Sequence, residues 1–345
     1  MVETKTRQSN FELLRIISMF SVLLIHANFF ALGSPGEYEI KHHFIDSFTR
    51  IFVQTISIPG VNVFVLISGW FGISYTSRGL FKFIYQYIFI YLFLALAAYF
   101  INDFTTPFYS FSNWFVNCYL VLFITAPIIN SFVNESTREV IRKVLVLFFI
   151  VQSVLGWMLP KWTGFFLDGY TPLSFMWLYL LGRYMSVFSP EFTKLDNSRN
   201  IKIILLCVSI NILANIIPFL SLKYNLPKIG GLFLSYLSPT TICISAFTLL
   251  FFKNIRIQSR FVNIVASGCF AVFLVHTSPN VMPYYVDFFK RTYINICDGQ
   301  LFHTFEYWCL VFVVLIAVFA MSLLLDQIRK WSWNLIERMS ASKRR

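Results

Sequence analysis

The stretch that decides the fold is NFELLRIISMFSVLLIHANFF, residues 10–30 of the chain. Most of its side chains are apolar, and its length suits a helix that crosses the roughly 30 Å hydrocarbon core of a bilayer. Three ionisable residues, Glu12, Arg15 and His26, interrupt this apolar background. Because ionisable groups are costly inside a membrane, each of them is a candidate for a functional role. The stretch therefore predicts a first membrane span over residues 11–32 that carries chemistry.

Apolar segments of similar length continue along the rest of the chain. Of the 345 residues, 57% are hydrophobic and 13% are charged, which is about half the charged fraction of a soluble domain. Hydropathy, together with the positions of Gly, Pro and charges, predicts ten spans at roughly 11–32, 50–73, 81–102, 112–133, 142–160, 171–188, 201–220, 231–252, 262–280 and 305–327. We expect an all-α integral membrane protein, a bundle of about ten transmembrane helices forming a single domain over residues 1–345.

The basic residues are distributed unevenly between the predicted loops. Most of the 28 lysines and arginines fall on the side of the N-terminus, including a short basic tail over residues 328–345. Because cytoplasmic loops carry an excess of Lys and Arg, this bias predicts that both termini are cytoplasmic. The formal net charge of +12 is spread along one membrane face, which favours membrane lipids as partners and argues against nucleic acid.

The spacing of Arg15 and His26 places both side chains on one face of a helix. Eleven steps of about 100° return to within roughly 20° of the starting direction, and the rise separates the residues by roughly 16–17 Å. Glu12, three residues before Arg15, is placed to neutralise or orient the guanidinium group. Taken singly, Arg15 could extend to the cytoplasmic interface and His26 could bond a neighbouring helix. Their shared face favours a common site.

An arginine, ten residues and a histidine in the first span resemble the signature of the membrane-bound acyltransferase-3 family. Further segments resemble the family pattern in the same order: NVFVLISGWFG (62–72), NWFVNCYLVLFITAPIIN (113–130), WLYLLGRYM (177–185) and SGCFAVFLVHTSPNV (267–281). Members of this family acylate surface polysaccharides and related envelope molecules. They often carry clustered arginines after the second span, where this chain has only Arg78 and Lys82.

The resemblance implies a multi-pass O-acyltransferase of the cell membrane, in a bacterium the cytoplasmic membrane. It would move an acetyl group from cytoplasmic acetyl-CoA to a hydroxyl of a cell-surface polysaccharide or its lipid-linked precursor. His26 would serve as the general base or as an acyl-carrying nucleophile. Arg15, with Arg78 and Lys82, would bind the coenzyme phosphates. Acetyl-CoA is then the co-substrate, and no metal is expected, because no cluster of His, Cys and carboxylate residues has ligand spacing.

Five further residues are candidates for a supporting or acceptor-binding role. They are His276, Glu12, Asn62, Ser68 and Trp114. His276 lies about as deep in its span as His26, so the two are expected to share a cavity, although a structural hydrogen bond explains His276 about as well. Ser68, next to Gly69, suits close helix packing as much as a cavity wall. Trp114 suits the aromatic belt at the membrane interface as well as a sugar-binding surface.

The competing function is a transporter or flippase for a lipid-linked sugar or another envelope precursor. Arg15, His26 and His276 would then form a substrate path through the bundle. The two halves of the chain show no inverted repeat, which disfavours this alternative. A structural or sensory membrane protein, the third class considered, would leave the buried Arg15–His26 pair without a purpose.

Overall fold

The computed structural model describes residues 7–101, 113–159, 164–220 and 233–342. Within these ranges the chain forms helices and connecting turns, and no strand occurs. The helices are α1 (Ser9–Ile25), α2 (Glu37–His42), α3 (Phe44–Ser57), α4 (Pro59–Phe71), α5 (Ser77–Phe100), α6 (Trp114–Glu135), α7 (Arg138–Gln152), α8 (Pro172–Phe188), α9 (Asn197–Leu220), α10 (Pro239–Lys253), α11 (Arg260–Ala266), α12 (Cys269–His276), α13 (Met282–Ile296) and α14 (Leu301–Ser342). Two π-helical turns, His26–Phe30 and Ser153–Met158, continue α1 and α7.

Seven helical stretches in the described part of the chain are long and apolar enough to cross a membrane. They are Ser9–Phe30, Phe44–Phe71, Ser77–Phe100, Trp114–Glu135, Arg138–Met158, Asn197–Ile217 and Leu301–Met339. Each overlaps one predicted span, which confirms an all-α membrane protein. The predicted spans 171–188, 231–252 and 262–280 coincide instead with shorter helices, namely α8, α10 and the α11–α12 pair. A total of ten spans therefore stays a prediction.

The ends of several predicted segments lie outside the part of the chain that the structure describes. Residues 102, 112, 160 and 231–232, at the ends of four predicted spans, and residues 343–345 of the tail lie outside the described residues. The predicted basic tail is helical up to residue 342, because α14 runs unbroken from the last span into it. No glycine or proline occurs between residues 301 and 342 to interrupt that helix.

Helix α1 packs against helices from the N-terminal and the C-terminal parts of the chain. It contacts α3, α4, α10, α11, α12 and α14. Leu14 and Leu23 are almost completely buried in these contacts, and Asn10 donates from Nδ2 to the Phe252 carbonyl oxygen at 2.9 Å. Because α1 is surrounded in this way, several of its polar side chains face protein instead of lipid.

The π-helical turn His26–Phe30 follows directly on the α-helical part of the first span. Such turns widen a helix by one residue and occur frequently at functional sites. Within this turn Asn28 is fully buried and donates from Nδ2 to the Arg50 carbonyl oxygen at 2.8 Å. That bond joins the C-terminal part of the first span to α3.

Helices α4 and α8 cross in tight contact at two glycines. A methyl group at Gly69 would overlap the Tyr179 carbonyl oxygen, and one at Gly182 would lie 2.6 Å from the Leu66 carbonyl oxygen. Gly69 therefore serves helix packing, in the manner of small residues at membrane helix interfaces. Its neighbour Ser68 lines a cavity. Of the two explanations considered for this pair, close packing therefore applies to Gly69 and the cavity wall to Ser68.

Gly69→Ala is expected to lower the free energy of unfolding by about 1–3 kcal/mol, the usual cost of overpacking a close contact. Alanine favours helices over glycine, so a loss of stability would come from the contact with α8. The measurement is thermal unfolding of the purified protein in detergent. Gly164→Ala is the matched control, since no atom of the described residues lies within 4 Å of a methyl group there. Equal midpoints for the two variants would contradict the tight crossing.

Candidate functional site

His26 and His276 come together where the first span meets α12. Nδ1 of His26 lies 2.9 Å from Nε2 of His276, and the ring centroids are 5.0 Å apart. Nδ1 of His276 lies 2.7 Å from the Val272 carbonyl oxygen, one turn earlier in the same helix. His276 is fully buried, whereas His26 keeps part of its surface open. The structure thus places in contact the two histidines that sequence analysis expects in one cavity.

These hydrogen bonds assign the proton positions of the neutral pair. A carbonyl oxygen only accepts, so Nδ1 of His276 donates to Val272, and Nε2 of His276 is an acceptor. Nδ1 of His26 must then donate to that Nε2. Consequently Nε2 of His26 carries an unshared electron pair, which is the form that a general base or a nucleophile requires.

His26 lines a cavity of about 180 Å³, which we call the His26 cavity. Trp114 and Tyr236 form part of its wall. The ring of Tyr170 packs against both, with centroid distances of 4.5 Å to Trp114 and 5.1 Å to Tyr236. Trp114, predicted either as an interfacial residue or as part of an acceptor site, therefore lies in the wall of the cavity that contains His26.

Asn113 and Thr277 add polar groups to the His26 cavity. Asn113 is the N-cap of α6, because its Oδ1 accepts from the Val116 N–H at 3.2 Å. Its Nδ2 donates to the Thr277 hydroxyl oxygen at 3.1 Å, and that hydroxyl donates to the Phe273 carbonyl oxygen at 2.7 Å. Sequence analysis missed both residues, although an asparagine directly before an apolar helix is a recognisable cap signal.

Arg15 lines a second cavity of about 290 Å³, which we call the Arg15 cavity. Its guanidinium lies 2.7 Å from the Glu12 carboxylate, the ion pair that the three-residue spacing predicts. Ser68 lines the same cavity, and its hydroxyl lies 3.1 Å from that of Tyr119. Three residues line both cavities: Val22, Val61 and Phe273. Arg15 and His26 thus reach adjoining spaces, as their eleven-residue spacing predicts.

A third cavity, of about 520 Å³, is lined by five cationic residues, and we call it the basic cavity. These residues are Arg7, Lys82, Arg260, Arg329 and Lys330. Ser267 lines both the basic cavity and the Arg15 cavity, and the Lys330 ammonium lies 3.0 Å from its hydroxyl. The three cavities therefore adjoin in order, from the cationic residues, past Arg15, to His26.

Four predicted site residues are not among the described residues that line these three cavities. Glu12 and His276 contact two that are, namely Arg15 and His26, and the other two are Asn62 and Arg78. Asn62 is buried and donates from Nδ2 to the Tyr236 carbonyl oxygen at 2.8 Å, so it supports the wall of the His26 cavity from behind. Arg78 is exposed and pairs with Glu337 at 2.7 Å. Lys82, predicted beside Arg78, does line the basic cavity.

Sequence analysis missed four of the cations in the basic cavity. Arg7, Arg260, Arg329 and Lys330 belong to three segments that are far apart in the chain. The one local signal was the spacing of Asp326 and Arg329, which predicts the observed ion pair of 2.7 Å. That spacing does not indicate which space the two side chains face.

Comparison with known protein families identifies the kind of protein that carries this arrangement. A family model described as an acyltransferase domain, of the acyltransferase-3 type, matches residues 8–326. The chain belongs to the acyltransferase-3 family. The match includes α1 through most of α14, and with them His26, His276 and every residue that lines the His26 cavity. No curated protein and no solved structure gives a significant match.

Membership of the acyltransferase-3 family makes this chain a membrane acyltransferase. Acyl transfer to a nucleophile with a proton to lose requires a positioned base and space for both substrates. The unshared pair on Nε2 of His26 provides a base, and the adjoining cavities provide space. The site found by geometry is therefore suited to the chemistry of the family.

Proposed function

We propose that this membrane acyltransferase moves an acetyl group from cytoplasmic acetyl-CoA to a hydroxyl of a cell-surface polysaccharide or of its lipid-linked precursor. The observation that carries the proposal is the unshared pair on Nε2 of His26 at one end of three adjoining cavities. A base at one end and cations at the other suit a donor with a thioester at one end and phosphates at the other. The protein would work in the cytoplasmic membrane of a bacterium.

In the proposed reaction Nε2 of His26 accepts the proton of the acceptor hydroxyl while the hydroxyl oxygen attacks the thioester carbonyl. The new C–O bond forms and the C–S bond breaks. The imidazolium then returns its proton to the departing thiolate, so the coenzyme leaves as a free thiol. The same electron pair would serve if His26 carried the acetyl group itself, in which case an acetyl-enzyme would form without the acceptor.

His276 would act as a positioning residue in this reaction. Its Nε2 accepts from Nδ1 of His26 and so holds the tautomer in which the opposite nitrogen of His26 is free. Protonation of His26 would strengthen that hydrogen bond, because a charged donor bonds more strongly than a neutral one. In the serine hydrolase triads a carboxylate accepts the hydrogen bond from the catalytic histidine. In the proposed reaction the neutral imidazole of His276 would accept it, without adding a buried negative charge.

The wall of the His26 cavity supports a carbohydrate acceptor. Trp114 and Tyr236 line it, and such side chains combine a flat apolar face with one polar group. Sugars have the same mixture of apolar C–H faces and hydroxyl groups. Asn113 and Thr277 add hydrogen-bonding groups to this wall, in keeping with small-molecule sites that place a few polar groups among aromatic side chains.

The distribution of charge supports entry of the donor from the cytoplasm. The cations of the basic cavity belong to segments that the positive-inside bias assigns to the cytoplasmic side. If α8, α10 and the α11–α12 pair cross the membrane beside the seven long helices, the chain has ten spans. An even number of spans leaves both termini on one side of the membrane, and the positive-inside bias assigns that side to the cytoplasm.

Purified protein is expected to transfer labelled acetyl from acetyl-CoA to a glycan acceptor, measured as alkali-labile label in the glycan. His26→Ala is expected to lower the rate by at least about 100-fold, the usual contribution of a general base. His42→Ala is the matched control, because His42 is exposed and lies outside the three cavities. Transport of a lipid-linked sugar into sealed vesicles without acetyl transfer would contradict the proposal and favour the flippase.

His276→Gln is expected to keep more activity than His276→Leu, by a factor on the order of 10. A glutamine amide oxygen can accept from Nδ1 of His26, whereas leucine leaves that nitrogen without a partner. The measurements are kcat/KM and its pH dependence. A positioning role predicts a changed pH profile for the leucine variant, because the tautomer of His26 is no longer held. Identical pH profiles of kcat/KM for both variants would contradict the positioning role and leave His276 a role in packing.

The proposed orientation predicts which side of the membrane reaches two exposed positions. In a cysteine-free chain, Asn254→Cys is expected to react with a membrane-impermeant maleimide only from the cytoplasm, and Tyr38→Cys only from outside. Asn254 lies between α10 and α11, and Tyr38 lies in α2. Labelling of both positions from the same side would exclude this topology.

A further inference from the structure

The basic cavity draws its cations from four separate segments of the chain. Arg7 precedes α1, Lys82 lies on α5, Arg260 begins α11, and Arg329 and Lys330 lie on α14. Among the described residues that line the cavity, none is a carboxylate. Like charges gathered in one concave space repel one another and raise the local concentration of anions. Their convergence therefore needs a reason beyond helix packing.

Arg329 provides independent evidence for an anion-binding site. The residue is buried with 2% of its surface exposed, and its Nε donates to the Asp326 carboxylate at 2.7 Å. Its Nη1 is also buried and has no hydrogen-bond partner among the described residues. A buried donor without a partner is costly, and more so on a charged group. Because Arg329 lines the basic cavity, an anion there can supply the partner.

Asp326 holds the two α14 cations in place but does not neutralise the cavity. It is fully buried, and its carboxylate lies 2.7 Å from Arg329 and 2.8 Å from Lys330. Asp326 pairs with two of the five described cations that line the cavity, so its single charge does not balance theirs. Arginine is the side chain best suited to bind phosphate through two parallel hydrogen bonds. The arrangement thus suits a ligand with more than one phosphate charge.

We infer that the basic cavity binds the phosphate-bearing head group of the acyl donor, with Nη1 of Arg329 bonded to a phosphate oxygen. This inference rests on the proposed function. The head group would stay at the cytoplasmic end, and the thin arm of the donor would pass Ser267, which lines both the basic cavity and the Arg15 cavity. Its thioester would then reach the His26 cavity across the residues that both inner cavities share.

Phosphate chemistry at this place has a second possible source, the head group of an anionic phospholipid. Clusters of Lys and Arg at the cytoplasmic end of membrane helices recognise such lipids through the same charge-assisted bonds. The two sources differ in what they carry, since a nucleotide head group is soluble and a lipid head group is anchored in the bilayer. An experiment with a soluble phosphate probe in a bilayer without anionic lipid therefore separates them.

The test is isothermal titration of the full-length protein in phosphatidylcholine nanodiscs with the adenosine bisphosphate fragment of coenzyme A. The wild-type protein is expected to bind, and Arg329→Gln is expected to weaken binding by about 10-fold or more. Arg199→Gln is the matched control, because Arg199 is exposed and pairs with Asp196 away from the cavity. Arg260→Gln, at an exposed position of the cavity, tests the site without disturbing the buried Asp326 pair.

The possible outcomes separate the site from the proposed function. Equal affinities in all four proteins would overturn the site. The donor site would also be overturned if the wild-type protein did not bind the bisphosphate but bound phosphatidylglycerol in a manner that depends on Arg329. The fragment has no thioester, so Arg329-dependent binding by a protein without acetyl transfer would refute the proposed function and keep the site. Acetyl transfer with an unchanged donor requirement in Arg329→Gln would keep the function and refute the site.

Discussion

The structure depends on one constraint, which is that the polar side chains of α1 must find partners inside an apolar bundle. An unpartnered polar or charged group in such surroundings is costly. Glu12 provides the partner of Arg15 from within the helix. Asn28 bonds a carbonyl oxygen of α3, and His26 bonds His276 at the end of α12. These bonds between helices fix the rotation and depth of the first span. The tautomer of the candidate base, His26, then follows from the hydrogen bond that its Nδ1 makes with His276.

Part of the site could be predicted because helical periodicity holds over short ranges. The segment from Arg15 to His26 is α-helical up to the π turn, so the rotation argument applies over its full length. The same geometry explains why Asn62 and Ser68, on one helix, have different roles. Six steps of about 100° turn the second side chain about 240° from the first. Ser68 therefore faces the Arg15 cavity, while Asn62 faces the Tyr236 carbonyl group.

The remaining part of the site depends on packing between distant segments, which local spacing does not encode. Arg78 and Lys82 are about one helical turn apart, and sequence analysis treats them as one cationic group. The structure divides them, because Glu337 of α14 lies beside Arg78 while Lys82 faces the basic cavity. Trp114 shows the same limit. Its position at the start of α6 suits an interfacial belt, but it lines the His26 cavity and its indole packs against the ring of Tyr170.

Helix α1 also restricts the shape of any donor that uses all three cavities. Arg15 and His26 belong to one continuous helical segment, so their separation of roughly 16–17 Å cannot change unless that helix breaks. The cations of the basic cavity lie beyond Arg15, on the far side of Ser267. A donor with adjacent phosphate and acetyl groups, such as acetyl phosphate, is too short to reach the basic cavity and the His26 cavity at the same time. A long, thin donor with its charge at one end would match both ends.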